Sequence, residues 1–206
     1  MMTQETVEIR VATEKDRDAI LAVHMNAFGK DEGPVIVKLV DEMLDDASGE
    51  PVLSLVAETD AGLVGHLLFT SVRVEPELLA ERREPPGMSP EGSRPAAKKV
   101  SARILAPLAV VQDRQCQGIG GRLIQAGLSQ LADSSVNLVF VLGYPDYYSR
   151  FGFKPAGVQG LQATYPIPPQ NADAWMVAEL TPGTIENCEG TVRCSGALDH
   201  PKYWIE

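Results

Sequence analysis

Three glycines near the middle of the chain form the clearest candidate for a ligand site. Gly118, Gly120 and Gly121 follow an apolar segment and open a stretch with the periodicity of an amphipathic helix. Glycine has no Cβ, so the backbone amides of such a turn can approach a ligand closely. At a helix start those N–H groups have no intrahelical acceptor and lie at the positive end of the helix dipole. The pattern predicts an anion site, with a diphosphate as the expected guest.

The surroundings of these glycines argue against two familiar phosphate-binding loops. No Gly-Lys-Ser/Thr run follows them, so a P-loop that reaches a γ-phosphate is excluded. A dinucleotide fingerprint normally follows the first strand of its unit and has an acidic residue about 20 residues later. Here the glycines lie mid-chain, and Asp133 comes 15 residues after Gly118. A purely structural turn with close helix–strand packing stays open as an alternative for the glycines taken alone.

The elements that must position this loop follow from the spacing of hydrophobic residues. Helix 118–132 lies between strands 100–111 and 137–143, which predicts a βαβ unit with a parallel strand pair. Pro107 has no N–H for a ladder hydrogen bond, so a bulge or gap in pairing is expected there. The further predicted strands are 7–12, 51–58, 63–74, 152–155, 174–180 and 191–194, and the further predicted helices are 13–28, 34–44 and 144–151.

Size and composition favour one α/β domain over residues 1–206, with 44% hydrophobic and 22% charged residues. The segment 75–99 contains five prolines and predicts an insertion loop. It is either an active-site lid or a tolerated insertion, and the insertion is favoured because loop closure costs grow slowly with length. The tail 181–206 carries Tyr203 and Trp204 and is expected to cover either the chain's own sheet or a partner subunit, as in a homodimer.

Charge and cysteine content limit the partners and the compartment. The net charge of −10 argues against nucleic acid and anionic membrane surfaces, which require a basic face. Three cysteines are too few for a disulfide scaffold and fit a reducing cytoplasm. Cys188 and Cys194 could pair or hold a metal, but no ligand set accompanies them, so no metal is expected. The polar N-terminus shows no signal peptide, and no apolar run approaches the roughly 20 residues of a membrane span. A cytoplasmic protein is therefore expected.

Two motifs together resemble the general-control-related N-acetyltransferase (GNAT) superfamily. The spacing Gln115-x-x-Gly118-x-Gly120 is similar to that family's Gln/Arg-x-x-Gly-x-Gly/Ala signature. The run Tyr147–Phe153 resembles its second signature, in which a Tyr is followed by three residues and then Gly-Phe. The segments 64–69, 105–110 and 140–153 narrow the resemblance to a bacterial subfamily of N-acetyltransferases. The resemblance implies an α/β fold with a mixed sheet, splayed central strands and helices on both faces.

The resemblance also implies acetyl-coenzyme A (acetyl-CoA) as co-substrate, with transfer of its acetyl group to a small-molecule or peptide amine in a ternary complex. The pantetheine arm would pair with the edge of strand 100–111 like an added strand. The N–H of Val110 would stabilise the thioester oxyanion, a contribution of roughly 2.7–4 kcal/mol. Arg114 and Arg122 would add charge at the phosphates, with ordinary solvated cations as the alternative. The expected donor-binding residues are Leu108, Ala109, Val110, Val111, Arg114, Gln115, Cys116, Gln117, Gly118, Ile119, Gly120, Gly121, Arg122, Asp146 and Tyr148.

Three roles in the chemistry remain to be assigned. Tyr148 matches the family tyrosine that protonates the leaving thiolate, with a core-packing tyrosine as the alternative. Asp146 is expected to cap the short helix, or else to accept a hydrogen bond from pantetheine. The amine needs a base, for which His66 is the first candidate, followed by Glu58 and His24. The alternatives are a satisfied core histidine for His66 and a solvated carboxylate for Glu58.

Other functions stay open at this point. The same fold can serve as a non-catalytic acyl-CoA sensor or binding subunit, because no base is assured. A longer acyl donor or a hydroxyl acceptor is also compatible with these residues. Cys116 lies inside the loop, but direct transfer requires no covalent cysteine intermediate. Tyr144 and Tyr147 fit the acid role less well than Tyr148 by their spacing to Gly152.

Overall fold

The computed structural model describes residues 6–76 and 100–204. Helices and strands alternate much as predicted, and short 3₁₀ turns connect them. The predicted insertion at 75–99 lies almost entirely outside the described residues. The elements are β1 (Glu8–Val11), α1 (Arg17–Asp45), β2 (Leu53–Thr59), β3 (Gly62–Glu75), β4 (Ala102–Val110), α2 (Ile119–Asp133), β5 (Leu138–Leu142), α3 (Pro145–Tyr148), β6 (Lys154–Pro155), β7 (Leu161–Gln162), β8 (Trp175–Glu179) and β9 (Gly190–Arg193).

The strands form a mixed sheet in the order β1-β2-β3-β4-β5-β8-β6. Strands β4 and β5 are parallel, as the βαβ pattern predicted, and the other neighbours along this path are antiparallel. The two main helices cover opposite faces of the sheet. Leu68 of β3 packs in the cluster that contains Met43 of α1, whereas its neighbour Phe69 packs in the cluster that contains Leu123 of α2. Successive strand residues point to opposite faces, so each face receives its own helix.

Helix α1 is interrupted at Gly29, where the first of two separate helices was predicted to end. The φ angle of Gly29 is 72°, a left-handed conformation that glycine adopts without steric cost. The helix resumes immediately after the kink, earlier than the predicted start at Pro34. Since Pro34 lies near the beginning of this second half, its missing N–H disturbs the ladder little.

Strand β4 creates an opening in the middle of the sheet. It pairs with β3 on one side. Between the pairs Leu67–Leu108 and Phe69–Leu105, β4 has two residues, Ala106 and Pro107, where β3 has one, so β4 bulges there. This bulge confirms the prediction from Pro107. On its other side, β4 pairs with β5 only over Ala102–Leu105. Residues 106–110 of β4 therefore border a space that β5 does not fill, here called the sheet gap.

The C-terminal tail packs on the chain itself. Strand β9 pairs with the end of β3 and with the two-residue strand β7, which the sequence did not predict. Trp204 is buried, donates from its indole N–H to the Leu198 carbonyl at 3.0 Å, and meets Trp175 edge-on. The tail was expected to cover either the chain's own sheet or a partner subunit, and here it packs on the chain's own sheet. In the described part of the chain, no helix has the length and apolarity of a membrane span.

Candidate active site

The glycine loop leads into α2 as the sequence predicted, with Gly118 as the N-cap. Gly118 has a φ of 82°, and a Cβ added there would meet no neighbouring atom. Glycine is therefore favoured at position 118 by the left-handed backbone conformation, and not by a lack of space for a side chain. The first helical N–H with an intrahelical acceptor is that of Arg122, which donates to the Gly118 carbonyl at 3.1 Å. The N–H groups of the preceding residues lie in the unsatisfied first turn.

Aromatic side chains pack against the other two glycines. A Cβ on Gly120 would come within 2.6 Å of the Tyr147 hydroxyl oxygen, and a Cβ on Gly121 within 3.1 Å of Phe151 Cζ. Both glycines thus allow α3 and the following turn to approach the start of α2. The structural alternative for these glycines holds in part, because they serve helix packing in addition to any ligand. The hydroxyl of Tyr147, ranked below Tyr148 on the sequence, lies directly at the loop.

The register of β3 and β4 decides which backbone groups face the sheet gap. The Val111 N–H donates to the Val64 carbonyl at 3.0 Å. Residues in an antiparallel ladder alternate between bonding to the partner strand and pointing away from it. Leu108 and Val110 therefore direct their N–H and C=O groups into the gap, whereas Ala109 and Val111 face β3. Of the four strand residues expected to bind the donor, two can do so through the backbone, and the expectation for Ala109 and Val111 is corrected.

Gln115 joins the loop to the strand. Its side-chain amide donates to the Val110 carbonyl at 3.0 Å, which agrees with a carbonyl that points away from β3. Its backbone N–H donates to the Gln112 carbonyl at 3.4 Å, and Gln117 donates from its side chain to the Asp113 carbonyl at 3.1 Å. Cys116 is exposed and has a φ of 59°. The Gln115 N–H, which was expected to help bind the diphosphate, thus already has an acceptor.

The predicted cations differ in where they lie. The Arg122 guanidinium donates to the Val7 carbonyl at 2.7 Å, so its side chain is directed toward the start of β1. The expected role of Arg122 at the phosphates stays a prediction, with one of its donors already bonded to Val7. Arg114 lies half-buried in the turn Gln112–Arg114. A third cation, Arg150, lies 4.6 Å over the ring of Tyr147 and was missed on the sequence.

Tyr148 is buried at the end of β5. A Cβ on Gly143 would fall 2.5 Å from Tyr148 Cε2, so the ring lies flat against the residue that follows β5. Edge-on contacts with Tyr147 and Phe153 hold it, with ring centroids 5.1 and 5.7 Å away. The Tyr148 ring therefore packs in the core, as the alternative to a catalytic role had proposed. The same packing places Tyr148 where β4 and β5 have separated.

Asp146 does not cap α3, contrary to the expectation. The N-cap is Tyr144, Pro145 occupies the first turn, and the cap has no side-chain hydrogen bond. Proline fits this position because its missing N–H would have no partner there. Asp146 is exposed in the first turn, where its carboxylate complements the helix dipole.

His66 is part of a buried polar chain. Its Nδ1 lies 2.8 Å from His24 Nε2 and its Nε2 lies 2.9 Å from Ser54 Oγ. Both histidines are fully buried, and the ring of Phe28 stacks on His24. Burial, together with the neighbouring His24, holds the pKa of His66 well below its usual range, and burial lowers the pKa of His24 to about 4. His66 is therefore a satisfied core histidine, and neither ring is poised as a base near pH 7.

Glu58, the other candidate base, belongs to an ion-pair network. Its carboxylate lies 2.6 Å from Arg10 Nε, and Arg10 also pairs with Asp16 at 2.8 Å. The hydrogen bond from Arg10 lowers the pKa of Glu58. The carboxylate is thus a structural partner on the β2–β3 hairpin. The sequence could not show this pairing, because Arg10 lies 48 residues away.

The cysteines are free thiols. Burial raises the pKa of the Cys194 thiol to about 12, and Thr164 donates to its sulfur at 3.3 Å. Over residues 6–76 and 100–204 no group of three or more His, Cys, Asp and Glu side chains is arranged to hold a metal ion.

Comparisons with known proteins identify the family. No protein-family model matches the chain. It is 36% identical over 197 residues to the N-acetyltransferase YjhQ of Escherichia coli K12, covering 94% of this chain and 95% of that protein. It is 30% identical over 185 residues to the N-acetyltransferase YhbS of the same strain, covering 89% of this chain and 93% of that protein.

A solved structure agrees with the sequence relatives. The crystal structure of YhbS, a GNAT family N-acetyltransferase in complex with CoA, matches with a TM-score of 0.76 and 25% identity over 97% of this chain and 96% of that one. The chain belongs to the GNAT family of N-acetyltransferases.

A second GNAT acetyltransferase, from Brucella melitensis and in complex with acetyl-CoA, matches with a TM-score of 0.65 and 25% identity over 94% of this chain and 99% of that one. The resemblance drawn from the two sequence motifs is thus confirmed, as is the mixed α/β fold. As a GNAT member the chain is an acyltransferase.

Proposed function

We propose that this GNAT member moves an acetyl group from acetyl-CoA to an amine by direct attack in a ternary complex. One observation carries the proposal: the sheet gap beside residues 106–110 opens next to the unsatisfied first turn of α2. Donors for a diphosphate and for an amide-containing arm therefore share one groove. The YhbS and Brucella melitensis proteins hold CoA and acetyl-CoA, which supports the same donor here.

The diphosphate binds at the loop from Cys116 to Gly121. These residues precede the first intrahelical hydrogen bond of α2, so their N–H groups can donate to phosphate oxygens. The pantetheine arm then runs along the exposed edge of β4. Its amides pair with the gap-facing backbone groups of Leu108, as in strand addition.

The thioester carbonyl binds at the N–H of Val110. Negative charge develops on this oxygen when the amine attacks, and one aimed donor contributes roughly 2.7–4 kcal/mol to the transition state. The Gln115 amide holds the Val110 carbonyl at 3.0 Å, so the orientation of this residue is fixed before the donor arrives. Gln115 thus acts as a positioning residue in addition to its place in the loop.

Tyr148 supplies the proton for the leaving thiolate. Its ring lies against Gly143 at the end of β5, on the opposite side of the sheet gap from Val110. The thiolate leaves with an ordinary pKa near 8.5, so a hydroxyl donor assists its departure. The three candidate bases named from the sequence are buried or ion-paired, so we assign the amine proton to water.

Isothermal titration with acetyl-CoA, followed by a thiol-release assay across a panel of small amines and peptides, tests the proposal. Binding with amine-dependent release of CoA is the expected result. Binding without turnover on the whole panel would favour the acyl-CoA sensor. No binding at millimolar acetyl-CoA refutes the proposed donor site.

A further inference from the structure

The proposed donor is a polyanion, and the protein is acidic as well. CoA carries a diphosphate and a ribose phosphate, whereas the chain has a net charge of −10. Backbone N–H groups contribute only partial charges at the helix start. Arg122, the expected cation on α2, donates to the Val7 carbonyl. Arg114 remains in the turn before the loop, and a further positive group would strengthen the binding of two or more phosphates.

Arg150 is held on the aromatic side chains that cover the glycine loop. Its guanidinium carbon lies 4.6 Å from the ring centroid of Tyr147 and 5.7 Å from that of Phe151. Its Nε donates to the Tyr147 carbonyl at 3.1 Å, which anchors the plane of the guanidinium. The same two rings contact the Gly120 and Gly121 positions of α2. Arg150 is therefore held on the same two rings that pack against the start of α2, where the diphosphate is proposed to bind.

The chemistry of this arginine suits a phosphate. Only Nε is used in the hydrogen bond to Tyr147, so the two Nη groups keep their donors for another acceptor. Within residues 6–76 and 100–204, Arg150 forms no ion pair with a carboxylate, and its side chain is exposed. The planar fork of arginine binds phosphate oxygens in pairs, and stacking on a ring reduces the freedom lost on binding. The half-buried hydroxyl of Tyr147 also belongs to this platform, and burial raises its pKa.

We propose that Arg150, oriented by the rings of Tyr147 and Phe151, binds a phosphate group of the CoA donor. This inference rests on the proposed function, because it assumes that the donor occupies the groove. It gives the Tyr147–Phe153 motif a second task beyond thiolate protonation. One face of the motif packs on the glycines and carries the cation, while Tyr148 lies at the sheet gap.

Titration calorimetry with CoA and with 3′-dephospho-CoA tests this role. Arg150→Met should weaken CoA binding about ten- to hundredfold, as expected for loss of a charged hydrogen-bonding group. Arg150→Lys should retain part of the affinity, because it keeps the charge and loses the fork. The matched control is Arg73→Met, an exposed arginine on β3 at the end remote from the loop, which should bind as wild type. Binding by wild type should also weaken more steeply with added salt than binding by Arg150→Met.

Comparing CoA with 3′-dephospho-CoA shows which phosphate Arg150 binds. The same titrations distinguish a failure of this inference from a failure of the proposed function. A loss confined to CoA assigns Arg150 to the 3′-phosphate, whereas an equal loss with both ligands assigns it to the diphosphate, and either supports the inference. Unchanged affinity of a folded Arg150→Met for both ligands overturns it and leaves the proposed function intact. Tyr147→Leu, which removes the ring and keeps the cation, should weaken binding in the same assay, and wild-type affinity in that variant would contradict the platform. Absence of binding by the wild type would instead refute the donor site itself.

Discussion

We expect the buried pair His24 and His66 to make the fold sensitive to mild acid. In the unfolded chain each imidazole takes up a proton as the pH falls through about 6.5. In the folded protein burial lowers the pKa of His24 to about 4, and the pKa of His66 is also lowered. The unfolded state therefore binds more protons than the folded state between these values. The stabilisation is complete above pH 6.5 and is lost as the pH falls toward 4.

The size of the effect follows from the two pKa values of His24. A fall from 6.5 to about 4, at 1.36 kcal/mol per pH unit, corresponds to about 3 kcal/mol of unfolding free energy. His66 adds to the loss in the same direction, so the unfolding free energy should fall more steeply with pH than it would for a single titrating group. This is a large part of the 5–15 kcal/mol that stabilises a typical domain. The Asp16 carboxylate, whose pKa is also lowered, affects stability mainly below this window.

Urea unfolding at several pH values between 7 and 4.5 measures this dependence. The fluorescence of Trp175 and Trp204 reports the transition, since both indoles are 2% exposed. Wild type should lose stability steeply below pH 6.5. The double variant His24→Gln/His66→Gln should start lower at pH 7, because its packing is changed, and should then show a much shallower slope.

The third histidine supplies the matched control. His200 is exposed, so His200→Gln should retain the wild-type slope. A wild-type stability that stays flat from pH 6.5 to 4.5, or a double variant that keeps the full slope, would refute the reasoning that the pair is buried and neutral.

Three further substitutions test the groove and the packing. Gly120→Glu places a carboxylate at the diphosphate site, so calorimetry should detect no CoA binding, whereas Gly157→Ala, whose added Cβ meets open space, should bind normally. Tyr148→Phe should lower turnover in the thiol-release assay and leave the Kd for CoA nearly unchanged; a large loss of affinity would make Tyr148 structural only. Gly127→Ala puts a Cβ within 2.7 Å of Phe69 Cζ, so urea unfolding should show a loss of about 1–3 kcal/mol in stability. Equal stability of Gly127→Ala and wild type would show instead that the core relaxes around the methyl group.

Local features of the sequence predicted most of the scaffold. The alternation and helical spacing of apolar residues located the main strands and α2, because these patterns arise from backbone geometry that each segment adopts on its own. Gly29 marked the kink in α1, and Pro107 marked the bulge in β4, because each restricts or frees the backbone at its own position. The two short motifs were sufficient to indicate the GNAT family.

Contacts between distant residues could not be read in this way. Arg122 bonds to Val7 across 115 positions, and His24 meets His66 across 42. Residue type suggested a phosphate cation in one case and a base in the other. The structure shows partners that the sequence did not suggest, because a side chain bonds to whichever group the fold brings within reach and no local pattern encodes that group.

The orientation of the sheet-gap backbone was decided only by the tertiary structure. The sequence pointed to residues 108–111 as a group, without distinguishing among them. The pairing of β4 with β3 makes Leu108 and Val110 face the gap and turns Ala109 and Val111 away from it. A shift of one residue would reverse this assignment, because neighbouring backbone N–H groups point in opposite directions along a strand.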